Sequence, residues 1–243
     1  MSWLTQSSLG GEIGAKLIPV TVTDAWRKAH PEAAIGLLEL SDVDNAQPSA
    51  ALEARKREVQ EQLRSTYRGF DRGAFLELPA LAAYKRYYRK FKKTYHLQLQ
   101  IESIVLHEKR LPTVSPLVDS NFIAEMETFV LTAGHDVAKL VEPVLIDVSH
   151  EGDTMSQLDG GIKALRAGDM VMRDREGICC SILYGQDNRS PLSAATNHVV
   201  FVSYAPPGVS PALVTSHLQT IETYVHLFST SCRLEQCQVL LAG

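Results

Sequence analysis

Ten consecutive residues, Tyr84-Lys85-Arg86-Tyr87-Tyr88-Arg89-Lys90-Phe91-Lys92-Lys93, carry six cations and four aromatic rings. Wound as a helix, they set a Tyr84/Tyr88/Phe91 stripe between cationic flanks, with Tyr87 placed to stack on an unpaired base. The same pattern also suits a core helix whose Lys and Arg stems cover its edges. Arg55, Lys56, Arg57, Arg64 and Arg68 lie nearby and favour a polyanionic partner. A second group, Asp119-Ser120-Asn121, stands where a helical run begins. Such a terminus gathers free N–H groups and favours anions, although these residue types are also the commonest helix caps.

Signatures of the familiar enzyme classes are missing. There is no G-x-x-x-x-G-K-[ST], no G-x-G-x-x-G between a strand and a helix, no H-E-x-x-H and no G-x-S-x-G. The eight histidines are scattered without metal-ligand spacing. Cys179 and Cys180 are neighbours in a strand-like run and point to opposite faces, so they cannot chelate one ion together. Cys232-x4-Cys237 lacks a second pair. The four cysteines therefore read as buried thiols, and neither a metal nor a cofactor is expected.

The chain has 243 residues and a net charge of −4, a total that argues against nucleic acid until it is divided. Residues 1–53 hold three basic and seven acidic side chains, residues 54–93 twelve and four, and residues 94–243 nine and seventeen. Half of all Lys and Arg thus falls within forty positions, with a local excess of +8. An apolar content of 45% with 21% charged residues excludes disordered, collagen-like and coiled-coil chains. Nothing before Lys16 is basic and Met1–Leu9 has no apolar centre, so no leader peptide is expected. Apolar runs stop at four or five residues, too short to span a bilayer. A cytoplasmic location is the expectation.

The elements that must position these groups follow from periodicity and punctuation. Strands are expected at Ile13–Val22, Ala34–Leu40, Val144–Val148, Met170–Met172, Ile178–Leu183, Val199–Tyr204 and Gln236–Leu241. Helices are expected at Asp24–His30, from an N-cap at Ser49 to about Tyr67, after Pro79, and over Leu97–His107, where Leu97, Leu99 and Ile101 also alternate as in a strand but Leu97, Ile101, Ile104 and Val105 fit a helix. A further helix past Pro116 presents Phe122, Ile123, Met126, Phe129 and Val130, and another follows Ser210-Pro211. Turn signals stand at Asp159-Gly160-Gly161 and Glu176-Gly177. Helices in one block and strands in the next indicate an α+β fold with mostly antiparallel or mixed sheets packed against helices. Residues 1–48 read as a strand-helix-strand extension and 49–243 as the main domain.

Leu111-Pro112-Thr113-Val114-Ser115-Pro116-Leu117-Val118-Asp119-Ser120-Asn121, continuing to Gly134-His135-Asp136, resembles the start of the tRNA-editing (B3/B4) domain of the phenylalanyl-tRNA synthetase β subunit. The interval from Asp119 to Asp136 is similar to that family's spacing. Ala167-Gly168-Asp169-Met170-Val171, Asp174, Gly177 and Thr196 fall in the family's order, and Tyr184-Gly185-Gln186-Asp187 is similar to its Phe-Gly-Gly-Glu turn. The resemblance covers about residues 75–205. Phe122 stands where the family has Asn, with Asn121 adjacent. Ala133 stands where it has His, with His135 two positions on, and Gln186 replaces a Gly.

That resemblance implies a free-standing domain that hydrolyses the ester between a wrong amino acid and the 3′ end of a tRNA. It implies Asn121 and His135 as catalytic residues and Asp119, Ser120, Gly134, Gly185, Asp187 and Thr196 around the substrate. Lys85, Arg86, Arg89, Lys90, Lys92 and Lys93 would hold the tRNA. Two other readings stay open: a tRNA- or RNA-binding module without hydrolysis, and a pocket for a small amino acid.

Overall fold

A computed structural model describes residues 17–243. The leader reading and the first part of the Ile13–Val22 strand lie outside the described residues.

The core begins with β2, Ala34–Ser41, whose eight residues are all buried. A run that is apolar but for Glu39 and Ser41 and buried throughout belongs in the middle of a sheet. β2 lies between β10 (Val199–Ala205) and β11 (Arg233–Leu241), and β3 (Thr132–Asp136) pairs with the outer edge of β10. All three pairings are antiparallel. Helix α7, Pro211–His226, capped by Ser210 as expected, covers this sheet. Gly36 makes the close approach possible, since a Cβ there would meet Val214 Cγ1 at 2.6 Å.

A second sheet of five strands runs in the order β1 (Val20–Val22), β4 (Val144–Val148), β7 (Met170–Asp174), β8 (Gly177–Ser181), β9 (Gly185–Gln186). β1 joins β4 in parallel and the other pairings are antiparallel. A separate hairpin, β5 (Thr154–Ser156) with β6 (Ile162–Ala164), turns at the Asp159-Gly160 signal. The fold is α+β with mixed and antiparallel sheets. The described part of segment 1–48 is built into both sheets, as β1 in one and β2 in the other.

Helix α1 (Asp24–Ala29) is capped by Thr23, and α2 (Ala50–Thr66) by Ser49. The narrow stripe Leu52, Val59 and Leu63 is the buried face of α2. A short helix α3 (Arg72–Leu76), capped by Asp71, precedes α4 (Pro79–Lys90) and escaped the sequence reading because it has barely one turn of pattern. α5 spans His96–His107, in accord with the helical periodicity of Leu97, Ile101 and Ile104. α6 spans Pro116–Thr128. Ser115 caps it and Pro116 opens it, so Asp119 falls inside the first turn and Ser120 and Asn121 follow. These three residues are therefore not at the free terminus. Phe129, expected to continue the helix, ends it with φ 61°. Its ring meets Phe75 edge-on and its carbonyl accepts the Tyr95 hydroxyl, so tertiary packing sets the stop.

Helix α4 joins the two sheets. Tyr84 donates to the Tyr204 carbonyl of β10 at 2.7 Å and accepts from the Leu131 amide. Tyr87 donates to Asp169 Oδ1 at 2.7 Å and accepts from the Met170 amide at the start of β7. Tyr88 donates to the Ile182 carbonyl. All three rings are buried, at 0%, 2% and 1% exposure. Tyr87 is thus not available to stack on a base. Its position on the helix turns it into the core, where the hydroxyl needs a partner and finds one.

Tyr87→Phe removes one donor to Asp169 and leaves the Met170 amide unpaired while preserving ring volume. The expected cost is about 1–3 kcal/mol in urea unfolding, with the slope against denaturant unchanged.

Candidate functional site

A cavity of about 520 Å³ lies among α6, β3, β10, the β8–β9 turn and the loop of the β5–β6 hairpin. From α6 it receives Val118, Asn121 and Glu125, which share one face because their spacings are three and four. From β3 come Thr132, Ala133 and Gly134, and from the opposite wall Gly185 and Gln186. Leu158 and Val114, both well exposed, line it at its solvent side.

The backbone of Thr132 fixes the α6 face. Asn121 Nδ2 donates to the Thr132 carbonyl at 3.1 Å, and Glu125 Oε1 accepts the Thr132 amide at 2.7 Å. Asn121 Oδ1 is left buried without a partner. Burial pushes the Glu125 carboxyl up to about 8, although the Thr132 amide pulls the other way. Glu125 belongs to no motif and was overlooked. Its place four residues after Asn121 on the same face was the available signal.

Of the residues expected at one site, Asn121, Gly134 and Gly185 reach this cavity. Gly134 is required by packing, since a Cβ would meet Leu192 Cδ1 at 2.7 Å and Phe201 Cε1 at 2.9 Å. Gly185 has φ +85° and lies at a turn. His135, Asp187 and Thr196 lie elsewhere, so the expected grouping of Asn121, His135, Asp187 and Thr196 around one cavity is not what the fold builds. His135 is on a strand and wholly buried. Arg189 Nε pairs with Asp187 Oδ2 at 3.0 Å, and Asp187 Oδ1 accepts the Ser190 hydroxyl at 2.7 Å. With its hydrogen committed there, Ser190 Oγ accepts from His135 Nδ1 at 2.7 Å. His135 Nε2 is then a bare nitrogen without a partner, and burial lowers the imidazole to about 3. This chain holds the 187–191 loop against β3.

The others are tied into the framework as well. Thr196 Oγ1 donates to Asp136 Oδ2 at 2.9 Å and accepts from the Ser193 amide. Ser120 donates back to the Pro116 carbonyl. Asp119 pairs with Lys56 at 2.7 Å, with side-chain exposures of 3% and 4%. Ala133, at the family's His position, does line the cavity. Phe122 faces a separate pocket with Ile104 and Leu111. The histidine that lines the main cavity is His96, from the first position of α5, and no sequence signal marked it.

The cations of α4 are unequal. Lys85 pairs with Glu77 at 3.3 Å, and Arg86 donates to the Pro207 carbonyl. Arg89, Lys90 and Lys92 are exposed and make no ion pair among the described residues. Lys93 lies 4.2 Å from the centre of the Tyr184 ring, with Lys163 at 5.2 Å from the same ring. Partial burial, then Lys163 and Arg166, lower the Lys93 ammonium from its ordinary value. Tyr184 directly precedes the cavity residue Gly185 in the chain, and its ring packs against Met155, Leu165, Val171 and Ile178. Among the described residues no group of three or more His, Cys, Asp or Glu side chains could hold a metal ion, and no helix is long and apolar enough to cross a membrane. Cys179, Cys180 and Cys232 are buried free thiols, whereas Cys237, on the edge strand β11, is exposed.

Glu125 links stability to pH. An unfolded glutamate ionises near 4.5 and this one near 8, so between those values the native chain keeps a proton that the unfolded chain has released. Stability must then fall as pH rises across that window. Buried neutral histidines have the opposite effect, which is half spent at pH 6.5 and fades about a unit above it, so the Glu125 term is read as the difference from Glu125→Gln. Urea unfolding between pH 6.5 and 8 is expected to show a Glu125 contribution of about 1 kcal/mol per pH unit, absent in Glu125→Gln.

The B3/4 domain profile matches residues 80–236. No curated protein matches the chain. Among solved structures the chain is similar to an N-terminal fragment of the phenylalanyl-tRNA synthetase beta-subunit from Pyrococcus horikoshii, with a TM-score of 0.44 and 9% identity. The alignment covers 90% of this chain and 49% of that one, so the chain spans about half the length of that structure. The profile match runs from the first turn of α4 into β11 and includes every residue that lines the cavity. It spans more than half of the sequence, and the chain belongs to the B3/4 domain family.

Proposed function

We propose that the protein hydrolyses the ester joining an amino acid to the 3′ end of a tRNA, acting apart from any synthetase. The observation that carries this reading is a ligand-sized cavity whose wall residue Gly185 is one position along the chain from Tyr184, the ring that Lys93 and Lys163 approach, with Arg166 also close to Lys93. A volume of about 520 Å³ suits a small ligand. Three adjacent cations suit the phosphates of the strand that delivers it. Family membership supports the same reading.

Hydrolysis adds water across the ester: the C–O bond to the ribose breaks, the acyl carbon gains the water oxygen, and the ribose oxygen takes a proton. Asn121 Oδ1, buried at the cavity and unpaired, is suited to accept a hydrogen bond from that water and so aim its lone pair. Ala133 favours a second reading, because a cavity with a methyl group where the family has His suits binding without turnover.

Incubation with a panel of mischarged tRNAs separates the two. Release of free amino acid from at least one tRNA is expected, slowed at least about tenfold in Asn121→Ala. Tight tRNA binding with no release from any member overturns hydrolysis in favour of the binding module. Binding of tRNA is expected to weaken steeply with salt, and Lys93→Glu and Lys163→Glu each lower the log–log slope by roughly one. A salt-independent affinity overturns the nucleic-acid reading altogether.

A further inference from the structure

The Glu125 carboxyl is 95% buried, yet it has only one hydrogen bond, from the Thr132 amide to Oε1. No ion pair to it occurs among the described residues, and it lines the cavity. The other titratable groups around it are the hydroxyls of Tyr84, Tyr88 and Tyr95, which burial keeps neutral, and His96 across the cavity. A buried carboxyl with a vacant oxygen facing a ligand-sized space lacks a cationic partner. The framework acids Asp119, Asp174 and Asp187 each have one, from Lys56 or Arg189.

We propose that Glu125 is the counter-ion for the primary ammonium group of the ligand, so that the cavity selects a free α-amine and rejects an N-acylated one. This rests on the reading of the ligand as an aminoacyl group. Hydrophobic cavity residues such as Val118 and Leu131 then surround the side chain, while the ammonium meets the α6 face. Placed there, an ammonium drives Glu125 to ionise, and the carboxyl proton leaves to solvent as the ion pair forms.

The probes are L-amino acid amides spanning small, branched and aromatic side chains, each beside its N-acetyl form, titrated calorimetrically into the whole protein. At least one free amide is expected to bind, with its acetylated partner weaker by about tenfold or more. Titration at pH 7 in two buffers of different ionisation enthalpy is expected to show proton release on binding. Glu125→Gln, which keeps the side-chain shape, is expected to lose both the selectivity and the proton release. Equal affinity for free and acetylated amides in the wild-type protein overturns the proposal, as does failure of every amide to bind up to its solubility. The wild-type comparison stands even if Glu125→Gln does not fold. Selective amine binding together with no deacylation of any tRNA supports the ammonium subsite and removes the hydrolytic reading, so the two fail separately.

Discussion

Three tyrosine hydroxyls on one helix hold this molecule together. Tyr84, Tyr87 and Tyr88 of α4 reach β10 on one side and the β7–β8 region on the other. Neither sheet can shift against the other without breaking a buried hydrogen bond, and a buried polar group left unpaired costs about 1–3 kcal/mol. The cavity lies where this constraint is felt, with Tyr204 of β10 and Ser181 and Ile182 of the β8 side among its walls. The helix that sets the sheet-to-sheet spacing therefore also sets the width of the site.

The same helix shows how one segment can serve two needs. Its buried face carries the tyrosines, while its last turn and the residues after it present Arg89, Lys90 and Lys92 outward and lay Lys93 over the Tyr184 ring. The rest of the positive window is used differently. Arg55 pairs with Glu127, Lys56 with Asp119 and Arg72 with Glu102, all acids from beyond residue 93. Arg64 caps the end of α5 and the residues after it through the carbonyls of Ile104, Glu108 and Lys109. Much of the +8 excess is thus balanced in space by the acidic segment that follows. Arg57, Arg68, Arg89, Lys90 and Lys92 of the window stay exposed without an ion pair among the described residues, and Lys93 is joined by Lys163 and Arg166 from outside it.

The framework was legible where a pattern repeats. β2, β10, α2 and α7 show sustained apolar patterns, with Ser49 and Ser210 capping the two helices, and they form as read; α5 forms on its Leu97, Ile101 and Ile104 face without a side-chain cap. β3, β5, β6 and β9 are two to five residues long, too short to carry a period, and they were missed. β3 matters most, since a strand at residues 132–136 buries His135 instead of offering it to the cavity. The site was half legible. Asn121, Gly134 and Gly185 converge, while Glu125 was overlooked although it stands four residues after Asn121 on the same helix face, and His96 was invisible because no spacing along the chain relates it to them.

Residue types and their periods determined the α+β class, the major elements and the presence of a basic aromatic helix. Those are properties of neighbours in the chain, where propensity, capping and face periodicity act. Tertiary structure alone decided which polar groups are satisfied by the protein and which are left for a ligand. Asp119, Asp187, Thr196 and His135 are tied to Lys56, Arg189, Asp136 and Ser190 away from the cavity, whereas at the cavity Asn121 keeps an unpartnered Oδ1 and Glu125 has a single hydrogen bond and no cation. A charge or an amide reads the same in sequence whether or not a partner meets it, because that partner arrives from a distant part of the chain.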